Sequence, residues 1–308
     1  MKFLRYLIPA TLSLLIATNV GSQDLNLKAK ATDKIEAFKE VKMNAYTREF
    51  TDRLSSYVKE NFERNKYLDF SIDTQKYLKP TFSIMSVNEI MKIDNGTIFN
   101  QTSINTHDGD ETINIGFGKR QLLNNNTLIF GVNAFYDHQL TESHERVGLG
   151  AEAITSIFDV RGNYYNAISQ RRKNSEGTTE IAMDGWDLRG DYHLPIDQDV
   201  NIFISAFEFK NPESESTFRE SGNKFGADAK LGNFAIEAGY MNDNQDKDAW
   251  FGNVKYVVNF GESNDQKSNA SNTKTFTDVS DQLYQPVKRE NKIRVVKIDA
   301  SGVVVGGF

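Results

Sequence analysis

The sequence predicts an all-β fold, a twelve-stranded antiparallel barrel with its apolar face outward. Three observations carry this. Residues beyond Tyr67 alternate apolar and polar with period two, in segments of about nine to eleven residues, the length a tilted strand needs to cross hydrocarbon. Aromatic residues fall near segment ends, at Tyr136, Phe158, Tyr164, Trp186, Tyr192, Phe234, Tyr240, Trp250 and Phe260, where an interfacial girdle places them. Short links also alternate with longer polar ones, as in barrels with tight turns on one side and loops on the other.

Before that pattern starts, two stretches read differently. Lys2 and Arg5 precede the apolar run "YLIPATLSLLIA" (6–17), with small residues at Gly21 and Ser22; residues 1–22 read as a secretory signal peptide. From Leu27 to Arg64 the period is helical, with Ile35, Phe38, Val41, Ala45, Phe50, Leu54, Val58 and Phe62 on one face. Residues 23–66 are therefore expected to be an amphipathic helical segment whose apolar face docks on a barrel end or a partner.

The strands follow in order, near 67–73, 82–92, 96–105, 111–120, 127–137, 145–155, 157–167, 184–193, 199–209, 222–231, 233–242 and 249–259. In "INIGFGKRQ" (113–121), Ile113, Ile115 and Phe117 oppose Asn114, Gly116, Gly118 and Arg120. "RVGLGAEA" (146–153) sets Val147, Leu149 and Ala151 against Arg146, Gly148, Gly150 and Glu152. "FDVRGNYY" (158–165) and "WDLRGDY" (186–192) repeat the scheme, with Asp159, Arg161, Asn163, Asp187, Arg189 and Asp191 on the polar side. "FGADAKL" (225–231), "FAIEAGY" (234–240) and "WFGNVKYVVNF" (250–260) close the set. The first three strands and the ninth, "NIFISAFEF" (201–209), alternate least clearly. "DNG" at 94–96 and "GN" at 232–233 mark tight turns. The longer links are 167–182, 210–223 and 241–248. The barrel is thus expected over 67–260, with a linker and short tail over 261–308.

A soluble barrel hides its apolar face and shows its charges to water; a membrane barrel reverses both and leaves no strand edge unpaired in lipid. The alternation suits either, and the length pattern of strands and links selects the membrane. In that frame Arg120, Asn133, Asp137, Arg146, Glu152, Asp159, Arg161, Asp187, Arg189 and Lys255 line the lumen. Their alternating signs predict a ladder of ion pairs along the wall, or a wet channel for a linker or small solutes.

Composition excludes other classes. Cysteine is absent, so no disulfide or thiolate chemistry is available, and the net charge of −6 without a basic face argues against nucleic acid. Asp137, His138 and His144 at one hairpin are a thin basis for a metal site, which needs three or four converging donors. "GFGKR" imitates a phosphate loop but leads into a turn, with no helix behind it. No catalytic residue, metal or cofactor is expected.

The stretch "GFGKRQLLNNNTLIFGVNAFYDHQLTESHERVGLGAEA" (116–153) closely resembles the intimin/invasin group, the inverse autotransporters. The carriers are Gly116, Gly118 and Arg120; then Gly131, Asn133, Ala134, Phe135, Tyr136, Asp137 and His138; then His144, Arg146, Gly148, Leu149, Gly150, Ala151 and Glu152. "NYY" (163–165), "DGWDLRGDYHLP" (184–195) and "QPVKRENKIRV" (285–295) continue the likeness in order. The resemblance implies a twelve-stranded outer-membrane barrel preceded by a periplasmic segment. It also implies a linker that threads the lumen and exports a C-terminal passenger of immunoglobulin-like adhesion domains. Here residues 261–308 fall short of the roughly hundred that one such domain needs. They open with the polar "GESNDQKSNASNTKT" (261–275) and end in "KIRVVKIDASGVVVGGF" (292–308), which reads as one strand or hairpin.

The sequence thus supports a barrel that anchors and exports its own C-terminal segment, the tail passing through as a hairpin. The alternative is a stand-alone channel or structural barrel, its tail plugging the lumen or left in the periplasm. Expected partners are outer-membrane lipid, barrel-assembly machinery and periplasmic chaperones, the machinery reading the aromatic end "YVVNF" (256–260). A surface or host ligand would be met through a longer passenger.

Overall fold

In a computed structural model, the structure describes residues 64–75, 79–107, 109–174, 177–196, 198–213, 218–245, 248–259, 275–298 and 304–307. The expected signal peptide (1–22), the helical run as far as residue 63 and most of the polar linker opening lie outside the described residues.

The strands in chain order are β1 (Asn65–Gln75), β2 (Thr81–Ile93), β3 (Gly96–His107), β4 (Asp110–Leu123), β5 (Leu128–Gln139), β6 (Glu145–Thr155), β7 (Phe158–Ala167), β8 (Arg172–Lys173), β9 (Thr179–Ala182), β10 (Asp184–His193), β11 (Asp199–Lys210), β12 (Arg219–Leu231), β13 (Phe234–Asp243), β14 (Ala249–Asn259), β15 (Val295–Ile298) and β16 (Val304–Gly307). Twelve of them, β1–β7 and β10–β14, form one closed antiparallel barrel. Closure comes from β1 on β14, from Tyr67↔Asn259 to Gln75↔Phe251. It leaves no edge whose amides and carbonyls would face lipid unpaired, which is the condition for spanning a bilayer with strands.

The pleat sorts residues into two faces. Outward stand Leu149, Ile204 and Trp250, each more than 60% exposed, while the inward Arg120, Arg146 and Arg161 are fully buried. That inversion of ordinary burial requires an apolar solvent outside. The ninth barrel strand, β11, looks apolar on both faces because its inward Phe203 and Phe207 offer ring faces to cations. Arg189 sits 3.7 Å from the Phe203 centroid and Arg294 4.8 Å from that of Phe207.

The barrel's two ends differ. At one end the links are tight, and asparagine or glycine takes the left-handed backbone they require: Asn95, then Asn124, Asn125 and Asn126 in a row, then Gly232. At the other end the links from β7 to β10 and from β11 to β12 are longer, while β3 and β4 join tightly at Gly109. The one between β7 and β10, expected as a polar loop, folds instead into the hairpin β8–β9. That hairpin belongs to a second, four-stranded sheet of order β16-β15-β9-β8.

The inward glycines make room for the wall's own rings. A Cβ on Gly116 would lie 2.2 Å from the Phe135 ring, and one on Gly118 2.4 Å from the Phe99 ring. They let neighbouring rings lie against the wall, and those rings then face guanidinium groups. Gly162 faces outward, its nearest neighbour 3.5 Å away in Leu188. Gly116→Val should therefore destabilise the barrel by about 1–3 kcal/mol through overpacking, whereas Gly162→Ala should be neutral. Urea titration followed by heat-modifiable gel migration measures both; equal tolerance at the two sites would contradict this account.

Candidate functional site

The lumen gathers the charged residues singled out in the sequence. Arg120 (β4) donates from Nε to Glu152 (β6) at 2.6 Å, reaching across β5 over Gly131, where a Cβ would meet the same carboxylate at 2.6 Å. Arg161 (β7) is 3.6 Å from Glu152, 2.9 Å from Asp159 and 3.0 Å from Asp191. Arg189 (β10) contacts Asp191 at 2.8 Å, Asp228 at 3.2 Å and Glu237 at 2.9 Å. Arg146 (β6) donates to Asp137 (β5) at 2.9 Å, directly opposite it in register. Lys255 stands on β14 under the influence of Asp69, Asp73 and Glu237. Asn133 lies inward against Gly150. Among the described residues no cation lies within ion-pair distance of Asp187. Its carboxylate accepts from Tyr165 Oη at 2.5 Å and Asn163 Nδ2 at 2.8 Å.

Alternation could not show what occupies the space between these walls. After β14 the chain returns at the tight-turn end. There the Thr277 amide donates to Ser156 Oγ (2.9 Å) and the Val279 amide to the Asn126 carbonyl (2.9 Å). A 3-10 turn over Ser280–Gln282 follows, and the chain then runs once through the barrel. Val287 packs with Val87, Phe99 and Phe135. The Val287 amide and carbonyl both bond to the Gln101 side chain, at 2.8 and 3.4 Å. Arg289 clasps Asp137 with both terminal nitrogens, at 2.8 and 2.7 Å, and lies 4.2 Å from the Phe135 centroid. At the loop end Arg294 reaches Glu220 at 2.6 Å. There β15 pairs with β9, from Val295↔Ala182 to Ile298↔Thr179, and β16 pairs with β15. The hairpin expected at 292–308 is thus β15–β16, seated at the loop end. The passage through the lumen is a single strand of chain, not a hairpin.

Sequence reading did not single out the contacts of Gln101, Asn114, Tyr165 and Glu220 on the wall or of Lys288, Arg289 and Arg294 in the tail. Alternation marks Asn114 as inward. The basic run "VKRENKIR" (287–294), set against a lumen rich in carboxylates, is the signal that could have located the tail.

The hairpin containing Asp137, His138, Glu142 and His144 splits between faces. His138 turns outward beside Tyr136, ring centroids 6.3 Å apart and stacked, while His144 is buried 3.5 Å from Glu180. Among the described residues no group of three or more His, Asp or Glu is placed to hold a metal ion. Burial, then the Asp110 and Glu180 carboxylates, push the Glu142 carboxyl up to about 7.

Two outcomes follow from this geometry. Asp137→Leu would leave Arg146 and Arg289 facing each other without their shared carboxylate and should cost about 3–5 kcal/mol. Asp137→Asn should cost less, and the urea midpoint of the heat-modifiable band reads both. At the rim, a carboxyl that holds its proton more tightly folded than unfolded stabilises fully below its ordinary value and loses that stabilisation as pH rises through about 7. Protease should therefore nick the loop-end hairpins faster at pH 8 than at pH 6, and Glu142→Gln should remove the difference. A difference that persists in the variant would exclude Glu142 as its source.

Comparison with known proteins adds relatives to this geometry. The family described as inverse autotransporter, β-domain, matches residues 16–291. A putative attaching and effacing protein homolog of Escherichia coli (strain K12) is 37% identical over 100 residues, 32% of this chain and 34% of that protein. The inverse autotransporter adhesin YeeJ of the same organism is 31% identical over 100 residues, covering 32% of this chain and 4% of the adhesin. The matches thus span about a third or less of these relatives' length. A membrane protein solved in work on in-meso crystallization shares the fold at 18% identity, with a TM-score of 0.64, over 74% of this chain and 98% of that one.

Proposed function

The chain belongs to the inverse autotransporter β-domain family, and on that premise we propose that its outer-membrane barrel anchors and exports its own C-terminal segment to the cell surface. The observation that carries the proposal is the course of the tail. It enters beside the tight turns at Asn126 and Ser156, crosses the lumen once, and ends against the β8–β9 hairpin among the longer loops. In outer-membrane barrels the tight turns are periplasmic and the longer loops face outside. The direction of the tail is therefore outward.

In this reading residues 1–22 direct the chain out of the cytoplasm and 23–66 stay in the periplasm. Periplasmic chaperones and barrel-assembly machinery deliver the strands to the membrane. Closure and passage need no nucleotide, since strand pairing and apolar burial in lipid supply the driving force. A passenger attached beyond the tail would be the part that meets a surface or host ligand. No catalytic step belongs to the function.

A second reading, a structural barrel plugged by its tail, is favoured by the density of the seal: Arg120, Arg146, Asp137, Asp191 and Glu220 all bond to the tail. The two differ in whether chain joined beyond Phe308 is carried through to the surface. An epitope tag after Phe308 should be open to antibody and protease on intact cells. Protection of the tag until the outer membrane is broken would refute export and leave the plug.

A further inference from the structure

The wall grips the tail by two kinds of contact, and they carry different information. The first is to the main chain. Arg120 Nη1 donates to the carbonyls of Leu283 (2.8 Å) and Gln285 (2.5 Å), and Gln101 Nε2 to that of Val287 (3.4 Å). Asn163 Nδ2 donates to the Lys288 carbonyl (3.1 Å), Arg146 Nη2 to that of Glu290 (2.7 Å) and Asn114 Nδ2 to that of Asn291 (2.9 Å). Two tail amides are taken as well, Val287 by Gln101 Oε1 and Glu290 by Tyr165 Oη, at 2.8 and 2.7 Å. Every residue brings a carbonyl, so these donors can hold whichever stretch of chain lies beside them. They come from β3, β4, β6 and β7, one side of the barrel, and form a track along the path.

The second kind reads side chains. Lys288 meets Asp191 at 2.9 Å and Asp228 at 3.6 Å; Arg289 forks onto Asp137; Arg294 bridges Glu220 (2.6 Å) and Glu290 (3.2 Å). A forked guanidinium–carboxylate pair is geometrically demanding. A track of main-chain contacts is not, because an extended chain repeats its faces every two residues.

Resting on the export reading, we propose that Gln101, Arg120, Asn114, Arg146, Asn163 and Tyr165 form a binding site for the main chain of any extended polypeptide. We propose further that Lys288, Arg289 and Arg294 are the side chains that halt the moving chain in one register. Segments that precede a halt in the lumen or follow it outward need no particular sequence, only an extended backbone. The halt comes when three cations meet three sets of carboxylates together, on β5, on β10 with β12, and on β12 near the loop end.

The walls can survive loss of these tail charges. Without Arg289, Asp137 keeps Arg146 and Asn114; without Lys288, Asp191 keeps Arg161 and Arg189. Only Glu220 loses its close cation, so Glu220→Gln accompanies the change at 294.

The chain has no cysteine, so an introduced pair supplies the only thiols. Val87→Cys with Val287→Cys reports the register seen here, since the two valines share one cluster; Val87→Cys with Gln285→Cys reports slippage by two residues. In the full chain in outer membranes, oxidation should close the 87–287 pair. In the background Lys288→Gln, Arg289→Gln, Arg294→Gln, Glu220→Gln its yield should fall about threefold, as the tail spreads over neighbouring registers. The 285 reporter should rise, while heat-modifiable folding stays unchanged. Undiminished 87–287 closure in the neutral tail would overturn the proposal and assign the register to β9–β15 pairing. Loss of both crosslinks with the barrel folded would overturn the main-chain site, because the track alone would then fail to hold the chain. Surface access of the tag after Phe308 is scored in the same cells. A hidden tag with a charge-dependent register refutes export but not the register; an exposed tag with a charge-independent register does the reverse.

Discussion

Asp137 bonds to two guanidinium groups, one from its neighbouring strand and one from the tail, and much of the molecule follows from that shared carboxylate. It lies fully buried with Arg146, Arg289 and Asn114 around it. A charge withdrawn from water at such depth is tolerated only when paired and hydrogen-bonded. The wall supplies one partner and the returning chain the other. Barrel and tail therefore do not behave as a container and its contents; each completes the electrostatics of the other.

The same dependence extends along the lumen. Rings from the wall, Phe99, Phe135, Tyr165, Phe203 and Phe207, lie against Arg120, Arg289, Arg146, Arg189 and Arg294 in turn. A ring face stabilises a cation without needing a second charge, which suits a space where carboxylates are already shared. Gly116 and Gly118 give two of those rings their place by having no side chain of their own. Small residues, flat rings and cations thus make a layered lining, and the central path that remains admits one extended strand of chain.

An exporter must release what it moves and later hold what remains. In the export proposed here, donors aimed at main-chain carbonyls serve movement, since they are indifferent to sequence; paired side-chain charges serve holding, since they fit one alignment. The lumen contains both, on overlapping residues: Arg146 binds the Glu290 carbonyl and orients Asp137 for Arg289. At the loop end a different device takes over, strand pairing between β15 and β9, which fastens the tail to the barrel's own hairpin.

The sequence by itself determined the twelve strands, their faces and the two unlike ends. Period two fixes which residues point inward once one face must meet lipid, and tight links need Asn or Gly wherever the backbone turns left-handed. Arg120, Asp137, Arg146, Glu152, Arg161 and Arg189 were legible as lumen residues for that reason. Partner choice was not. Arg120 reaches over an intervening strand to Glu152, and Asp187 accepts from Tyr165 and Asn163 rather than from a cation; such contacts depend on barrel curvature and side-chain reach, which alternation does not encode. The resemblance implied that a linker threads the lumen, but residues 287–294 meet wall residues sixty or more positions away in the chain. Only closure of the barrel brings Arg289 to Asp137 and Arg294 to Glu220, because the carboxylates that select their register become neighbours only when β1 meets β14.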